Sequence, residues 1–320
     1  MGPPAEVKKV CVALLLALPL AAYAEEPPAP EAPAEPVEKV SLHRSTVKAM
    51  IWSLIPGGGH IYLGDTGTGI AYASLFTAFA GAGVEVQRRN EDLDRDDDEV
   101  NVPLLLADKV WEYSIFTTAR SALQADGLDL RAAGFDDTPT SELITAPFSR
   151  HALRWEVAVA GALGILGGIA TGHDADTPAL KDVQRVQMLG GNYDRQEANV
   201  LYGGSVLGVS LGAAAAEEGL FRGMLQPILQ NRMGERPGFW IASGAFGAAH
   251  LIGLDGELNL GGALWATGAG AYLGWLYDRD GNRLAAPIAA HFWYDFLLLS
   301  TMWITAPDEN AFGFDVEFRF

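Results

Sequence analysis

Three short groups of ionisable residues fall inside apolar stretches: Glu217-Glu218-x-x-x-Arg222, Phe246-x-x-x-His250 and His291-x-x-x-Asp295. In hydrocarbon such groups are expensive, at about 2.5–3.5 kcal/mol for an Asp, Arg or Lys at a helix centre on insertion scales. Their default reading is therefore a polar site inside a helix bundle, and the residue types suit activation of water. On one helix Glu218 and Arg222 stand i, i+4 and share a face, so pairing offsets much of the cost of burying both. Glu217 points about 100° away and has no partner in its own helix. A carboxylate in a low-dielectric cavity is a stronger proton acceptor than one in water, which suits a general base. Phe246 and His250 share a face, so the ring can shield or orient the imidazole. His291 and Asp295 are again i, i+4, and Pro287 one turn earlier can open that helix.

The elements that must hold these groups read as membrane helices. The 320 residues are 49% hydrophobic, with a mean hydropathy of +0.12. Their apolar residues come in runs of about 17–25, the length that spans a bilayer. The expected fold is an all-α polytopic membrane protein, a bundle of about 7–8 transmembrane helices around an intramembrane polar site. A net charge of −18 argues against a nucleic-acid partner, since nothing would neutralise phosphates. The acidic run Glu91 to Glu99 reads as solvated loop and matches no EF-hand spacing. Cys11 is the only cysteine, which excludes an intrachain disulfide and cysteine chemistry.

Residues 1–24 read as a secretory signal peptide: Lys8-Lys9, the apolar run Val10 to Leu20, then Ala22-Tyr23-Ala24 at the cleavage position. An uncleaved anchor is the alternative. The Pro/Ala/Glu-rich stretch 25–45 is an exported linker. Apolar stretches at about 47–63 and 68–86 flank Gly64-Asp65-Thr66-Gly67 and predict a helical hairpin within a domain at 46–145. Pro56-Gly57-Gly58-Gly59-His60-Ile61-Tyr62-Leu63-Gly64 in its first arm resembles the signature of small bacterial membrane hairpin domains of the TM2/DUF5683 type, with His60 where Gln is usual. His60 reads as a turn or interface residue. Residues 102–122 are either a poor spanning helix packed against others or an amphipathic surface helix, because Asp108, Lys109, Glu112 and Arg120 interrupt them. A cleaner span follows at about 152–171, and four more at about 199–229, 238–254, 258–277 and 284–305. Two Arg in each of the 231–236 and 278–283 loops put those loops on the cytoplasmic side by the positive-inside rule. That places 123–150 with them, and 172–198 with the tail 306–320 on the opposite side.

The three motifs, in this order on successive apolar helices, resemble the CPBP family of intramembrane endopeptidases, which includes CAAX prenyl proteases and bacteriocin-processing or self-immunity proteins. The resemblance covers about residues 150–320, within a protease-type domain placed at 146–320. It implies that Glu217 activates water with His250 as its partner, that His291 and Asp295 stabilise the oxyanion, and that Glu218 and Arg222 form a structural ion pair. Phe246 supports the site. Asp295 stands where the prenyl-protease branch usually has Asn, and an ionised Asp can only accept hydrogen bonds. As a cofactor, zinc is one reading, because Glu217, His250, His291 and Asp295 make a two-His, two-carboxylate set in type and number. A metal-free Glu/His mechanism is the other, and no HExxH helix occurs. The resemblance thus implies an endopeptidase acting on a membrane protein or peptide, in contact with the lipid bilayer of a bacterial inner membrane. A non-catalytic scaffold or immunity-type binding protein is the alternative from another class. A proton-coupled transporter is a third, for which no inverted repeat is legible.

Overall fold

Pro56 lacks an amide hydrogen and Gly57 adopts a left-handed φ of 76°, so the first apolar stretch cannot continue as one helix. The computed structural model describes residues 44–92, 99–171, 180–253 and 258–318. The signal segment 1–24, nearly all of the 25–45 linker and most of the acidic run lie outside the described residues. The stretch predicted as one arm over 47–63 is instead two short helices, α1 (Arg44–Trp52) and α2 (Gly58–Tyr62), folded back on each other. The second arm is a single 27-residue helix, α3 (Thr66–Asp92).

Glycine makes this folding-back fit. A Cβ on Gly57 would lie 2.0 Å from the Gly69 carbonyl oxygen of α3. One on Gly59 would lie 2.4 Å from the Thr118 side chain of the next helix, α4 (Val102–Ala125). Contacts along α4 trace the path. Ser45 and Thr46 donate to the Asp126 carboxylate just beyond its C-terminus. Trp111 Nε1 donates to the Ser53 carbonyl, half-way along, and His60 Nε2 returns to Thr117 Oγ1 at 2.9 Å. The pair α1–α2 therefore enters and leaves from one end.

The ambiguous segment 102–122 is the buried helix α4, not a surface helix. Asn101 caps it by accepting from Leu104 N. It lies between α3 and α7 (Arg195–Leu220) and runs the depth of the bundle. Its charges have partners: Arg120 donates to the Thr138 carbonyl and to Thr140 Oγ1, and Lys109 and Glu112 face each other at 2.7 Å. After α5 (Thr140–Thr145) and two 3₁₀ turns, the chain bends into α6 (Trp155–Thr171).

The 172–198 segment and the tail, expected on the same side, contribute a three-stranded antiparallel sheet in the order β2-β1-β3. Its strands are β1 (Val183–Met188), β2 (Gly191–Asp194) and β3 (Asp315–Phe318), with Val186 opposite both Tyr193 and Val316. Leu189 and Gly190, both at positive φ, make the two-residue β1–β2 turn. A register shift between Val183 and Arg185 hid the strand period in the sequence. Val186 and Met188 are fully buried and pack with Tyr202, Trp303, Phe312 and Phe314.

An Asp194/Glu197 capping box starts α7, which continues through a π-turn at Phe221–Leu225 into α8 (Gln226–Met233). Helices α9 (Glu235–Ala249), α10 (Leu260–Arg279) and α11 (Ala285–Thr305) complete the bundle. Asp136 accepts from Leu284 N at 2.7 Å and Arg131 donates to the Gly281 carbonyl. The 130s and 280s loops thus share one end, the sheet and tail the other, the grouping that the loop charges predict. Among the described residues two helices, Thr66–Asp92 and the continuous Arg195–Met233, are long and apolar enough to cross a membrane. Thr140–Leu153 with Trp155–Ala170 makes a third if that pair, bent by 98°, is one span. The remaining helices do not meet this measure, so it falls short of the expected seven to eight.

Candidate active site

The C-terminal turns of α7, the end of α9 and the first half of α11 bring the three motifs together. Glu218 is fully buried and accepts from Arg222 Nη1 at 2.8 Å. The ion pair expected from spacing is present, and it reaches further. Arg222 Nη2 donates to the Gly270 carbonyl at 3.0 Å, and the guanidinium lies 4.2 Å from the centroid of the Phe246 ring. Glu218 Oε1 also lies 2.9 Å from His291 Nδ1. His291 Nε2 faces Asp295 Oδ2 at 3.3 Å, so each imidazole nitrogen has a carboxylate in front of it.

Glu217 and His250 form the second pair. The backbone carbonyl of Phe246 lies 2.8 Å from His250 Nδ1. A carbonyl can only accept, so Nδ1 carries the hydrogen and Nε2 is left as the acceptor of a neutral ring. That Nε2 stands 3.8 Å from Glu217 Oε2, too far for a direct hydrogen bond. Glu217 Oε2 is buried and has no hydrogen-bond partner among the described residues. Two acceptors facing across 3.8 Å suit a bridging molecule that donates to both. Phe246 stands between the pairs, its centroid 4.7 Å from that of His250 and 6.1 Å from that of His291.

Residues 200–297 match the model of the family described as Type II CAAX prenyl endopeptidase Rce1-like. No curated protein and no solved structure matches the chain. The family match contains all three motifs and is consistent with a CPBP family intramembrane protease. It makes the segment protease-like and, with the apolar helices, points to a membrane protein whose substrates are peptides or proteins.

Within the matched segment the residues weighed as zinc ligands are arranged as pairs. Among the described residues no group of three or more His, Cys, Asp or Glu converges as ligands. Glu217 with His250 and His291 with Asp295 form two separate pairs, and both nitrogens of His291 are taken up by carboxylates. All four expected site residues nevertheless line one cavity of about 720 Å³, whose other walls include Leu105, Trp265 and Leu298.

Spacing could not show the group that enters from outside the matched segment. Lys109 of α4 places Nζ 3.3 Å from Glu217 Oε1, 2.7 Å from Glu112 Oε2 and 3.4 Å from Asp108 Oδ2. Glu217 therefore has a partner, supplied by another helix. The one signal in the sequence was that four charges interrupt an otherwise apolar stretch. His60 lies apart from the site, stacked on Tyr72 at 5.4 Å and bonded to Thr117, as a turn and interface residue.

Proposed function

We propose that the protein is an intramembrane endopeptidase that hydrolyses a peptide bond of a membrane-associated protein or peptide with a water activated by Glu217 and His250. The observation that carries this reading is the gap between two acceptors, Glu217 Oε2 and His250 Nε2, 3.8 Å apart at the wall of a cavity. A water held there donates one hydrogen to each. Glu217 takes the proton as the oxygen attacks the scissile carbonyl, and the proton then passes to the leaving amine. His291, held between two carboxylates, stabilises the oxyanion of the tetrahedral intermediate through the charge of its ring and not through a free N–H. Asp295 and Glu218, each facing one of its nitrogens, hold the ring and its charge. This division follows from Asp295 being able only to accept when ionised.

The reading runs without a metal, in keeping with side chains that pair rather than converge. The setting proposed is a bacterial inner membrane, with α3, α4, α6, α7–α8, α9, α10 and α11 as its spans. The apolar cavity walls support a substrate segment that is itself apolar.

Glu217→Gln keeps the size and removes the base. In cells carrying either form at matched levels, peptide ends of membrane proteins that depend on the wild type should vanish in the variant. The underlying loss is on the order of 10²–10⁴-fold in rate. Identical ends in both would overturn the reading, and retained complementation of a deletion phenotype would then favour the scaffold.

A further inference from the structure

The matched segment starts at residue 200, yet the catalytic carboxylate proposed above is held by a helix that ends at Ala125. Lys109 reaches it through a close approach of two helices. A Cβ on Gly212 would lie 3.1 Å from Lys109 Cβ, and one on Gly208 would touch Leu106 at 3.4 Å. Two turns beyond, a Cβ on Gly219 would meet the Phe116 ring at 2.6 Å. The bare face of α7 thus lets α4 lie against it, and the lysine stem runs along that face with its ammonium at Glu217. Only 12% of the Lys109 side chain and 14% of the Glu217 side chain are exposed.

The opposite face of α4 is occupied by the N-terminal helices. Trp111 Nε1 donates to the Ser53 carbonyl, Ser114 Oγ accepts from Gly57 N, and Thr117 meets His60. Near the sheet end, Asn101 Nδ2 donates to the Gly83 carbonyl of α3. Residues 111, 114 and 118 face the hairpin helices, whereas 105, 109, 112 and 116 face α7 and the cavity, as the 3.6-residue period requires.

We propose that Lys109 is a positioning residue of the site. Its ammonium holds Glu217 Oε1, which leaves Oε2 turned to His250 and free for the water, and helices α1 to α3 seat the α4 helix that delivers it. This rests on the peptidase reading of Glu217. The two oxygens divide the labour: one is 3.3 Å from a cation and the other has no hydrogen-bond partner among the described residues. Without Lys109 the carboxylate can rotate, and the gap to His250 is no longer defined.

The test uses the full chain in lipid vesicles and a synthetic peptide that spans the strongest Glu217-dependent cut found in cells. Lys109→Met should lower kcat by roughly 10–100-fold, the cost of a small misplacement of a reacting group, while KM changes little. Lys109→Arg keeps the charge and should recover most of kcat. A lysine that merely packs α4 would lower the folded fraction and not kcat per folded molecule. Where Lys109→Met does not accumulate, Lys109→Gln, neutral and shorter, is read in the same way. Wild-type kcat in either neutral variant overturns the proposal. Equal impairment of the Met and Arg variants with KM raised also overturns it, since that marks a substrate-lining role. Glu217→Gln in the same vesicles separates the two ideas. If it is inactive while Lys109→Met is intact, the peptidase reading stands and the Lys109 inference falls. If it cleaves like wild type, both fall.

Discussion

Arg222 is the most completely buried cation near the site, 1% exposed beside a Glu218 that is fully buried. Its guanidinium serves Glu218, the Gly270 carbonyl and the face of Phe246 together. Replacing it by Met leaves Glu218 with His291 as its remaining polar contact among the described residues, where Glu218 Oε2 already has no hydrogen-bond partner. Breaking a buried pair in this way costs about 3–5 kcal/mol. Arg222→Met should therefore lower the unfolding free energy in detergent by that amount, and adding Glu218→Gln should restore part of it. A double variant that is the sum of the singles would refute the pairing. The pair was legible because its spacing is local. The further contact from Glu218 to His291, 73 residues on, was not, and neither was that from Lys109 to Glu217 across 108 residues. Local spacing reports which groups share a helix face and says nothing of which helices meet.

Among the elements, α9 and α10 make the tightest contact near the site. A Cβ on Gly247 would fall 1.9 Å from Thr267 Oγ1 and 2.6 Å from the Ala263 carbonyl oxygen. Gly247 lies three residues before His250, so any side chain there forces the helices apart and carries the imidazole with it. Gly247→Val should cost about 1–3 kcal/mol as overpacking and lower kcat for Glu217-dependent cleavage, with Gly247→Ala milder on both counts. Unchanged kcat in Gly247→Val would mean that the 3.8 Å gap to Glu217 does not set the rate. Gly270 and Gly274 of α10 mark further close approaches, with notional Cβ contacts of 3.2 Å to the Ser243 carbonyl and 2.7 Å to Gln226 Oε1. Less legible was α4, whose charges looked like a reason for exposure. Lys109, Glu112 and Arg120 are tolerated because each finds a partner. The sheet escaped notice because β1 is irregular against β3 and because β3 lies more than 120 residues further along the chain.

At the scale of the whole molecule the open issue is sidedness, and the N-terminal helices decide it. An exported signal places residue 45 on the side of the sheet and tail. The structure puts Ser45 and Thr46 against Asp126, at the end that also holds Asp136 and the Gly281 loop. The difference comes from Pro56 and the glycines after it: a straight helix over 47–63 would cross, whereas α1 and α2 return to the end they entered. With the first arm folded back, α3 and α4 are the first two of the proposed spans, and the basic loops fall on the side where the described chain begins. Single cysteines in a Cys11→Ser background test this with an impermeant thiol reagent on sealed vesicles of known orientation. Ser45→Cys and Asp137→Cys, both exposed positions, should label from one side, and Asn192→Cys in the β1–β2 hairpin from the other. Ser45→Cys labelling together with Asn192→Cys would mean that the first arm crosses. Lys109 and Glu217 could still meet, because α3 and α4 would keep their sense past α7, but the contacts of Ser45 and Thr46 with Asp126 would be lost, and with them the folded-back seat that α1 and α2 give α4.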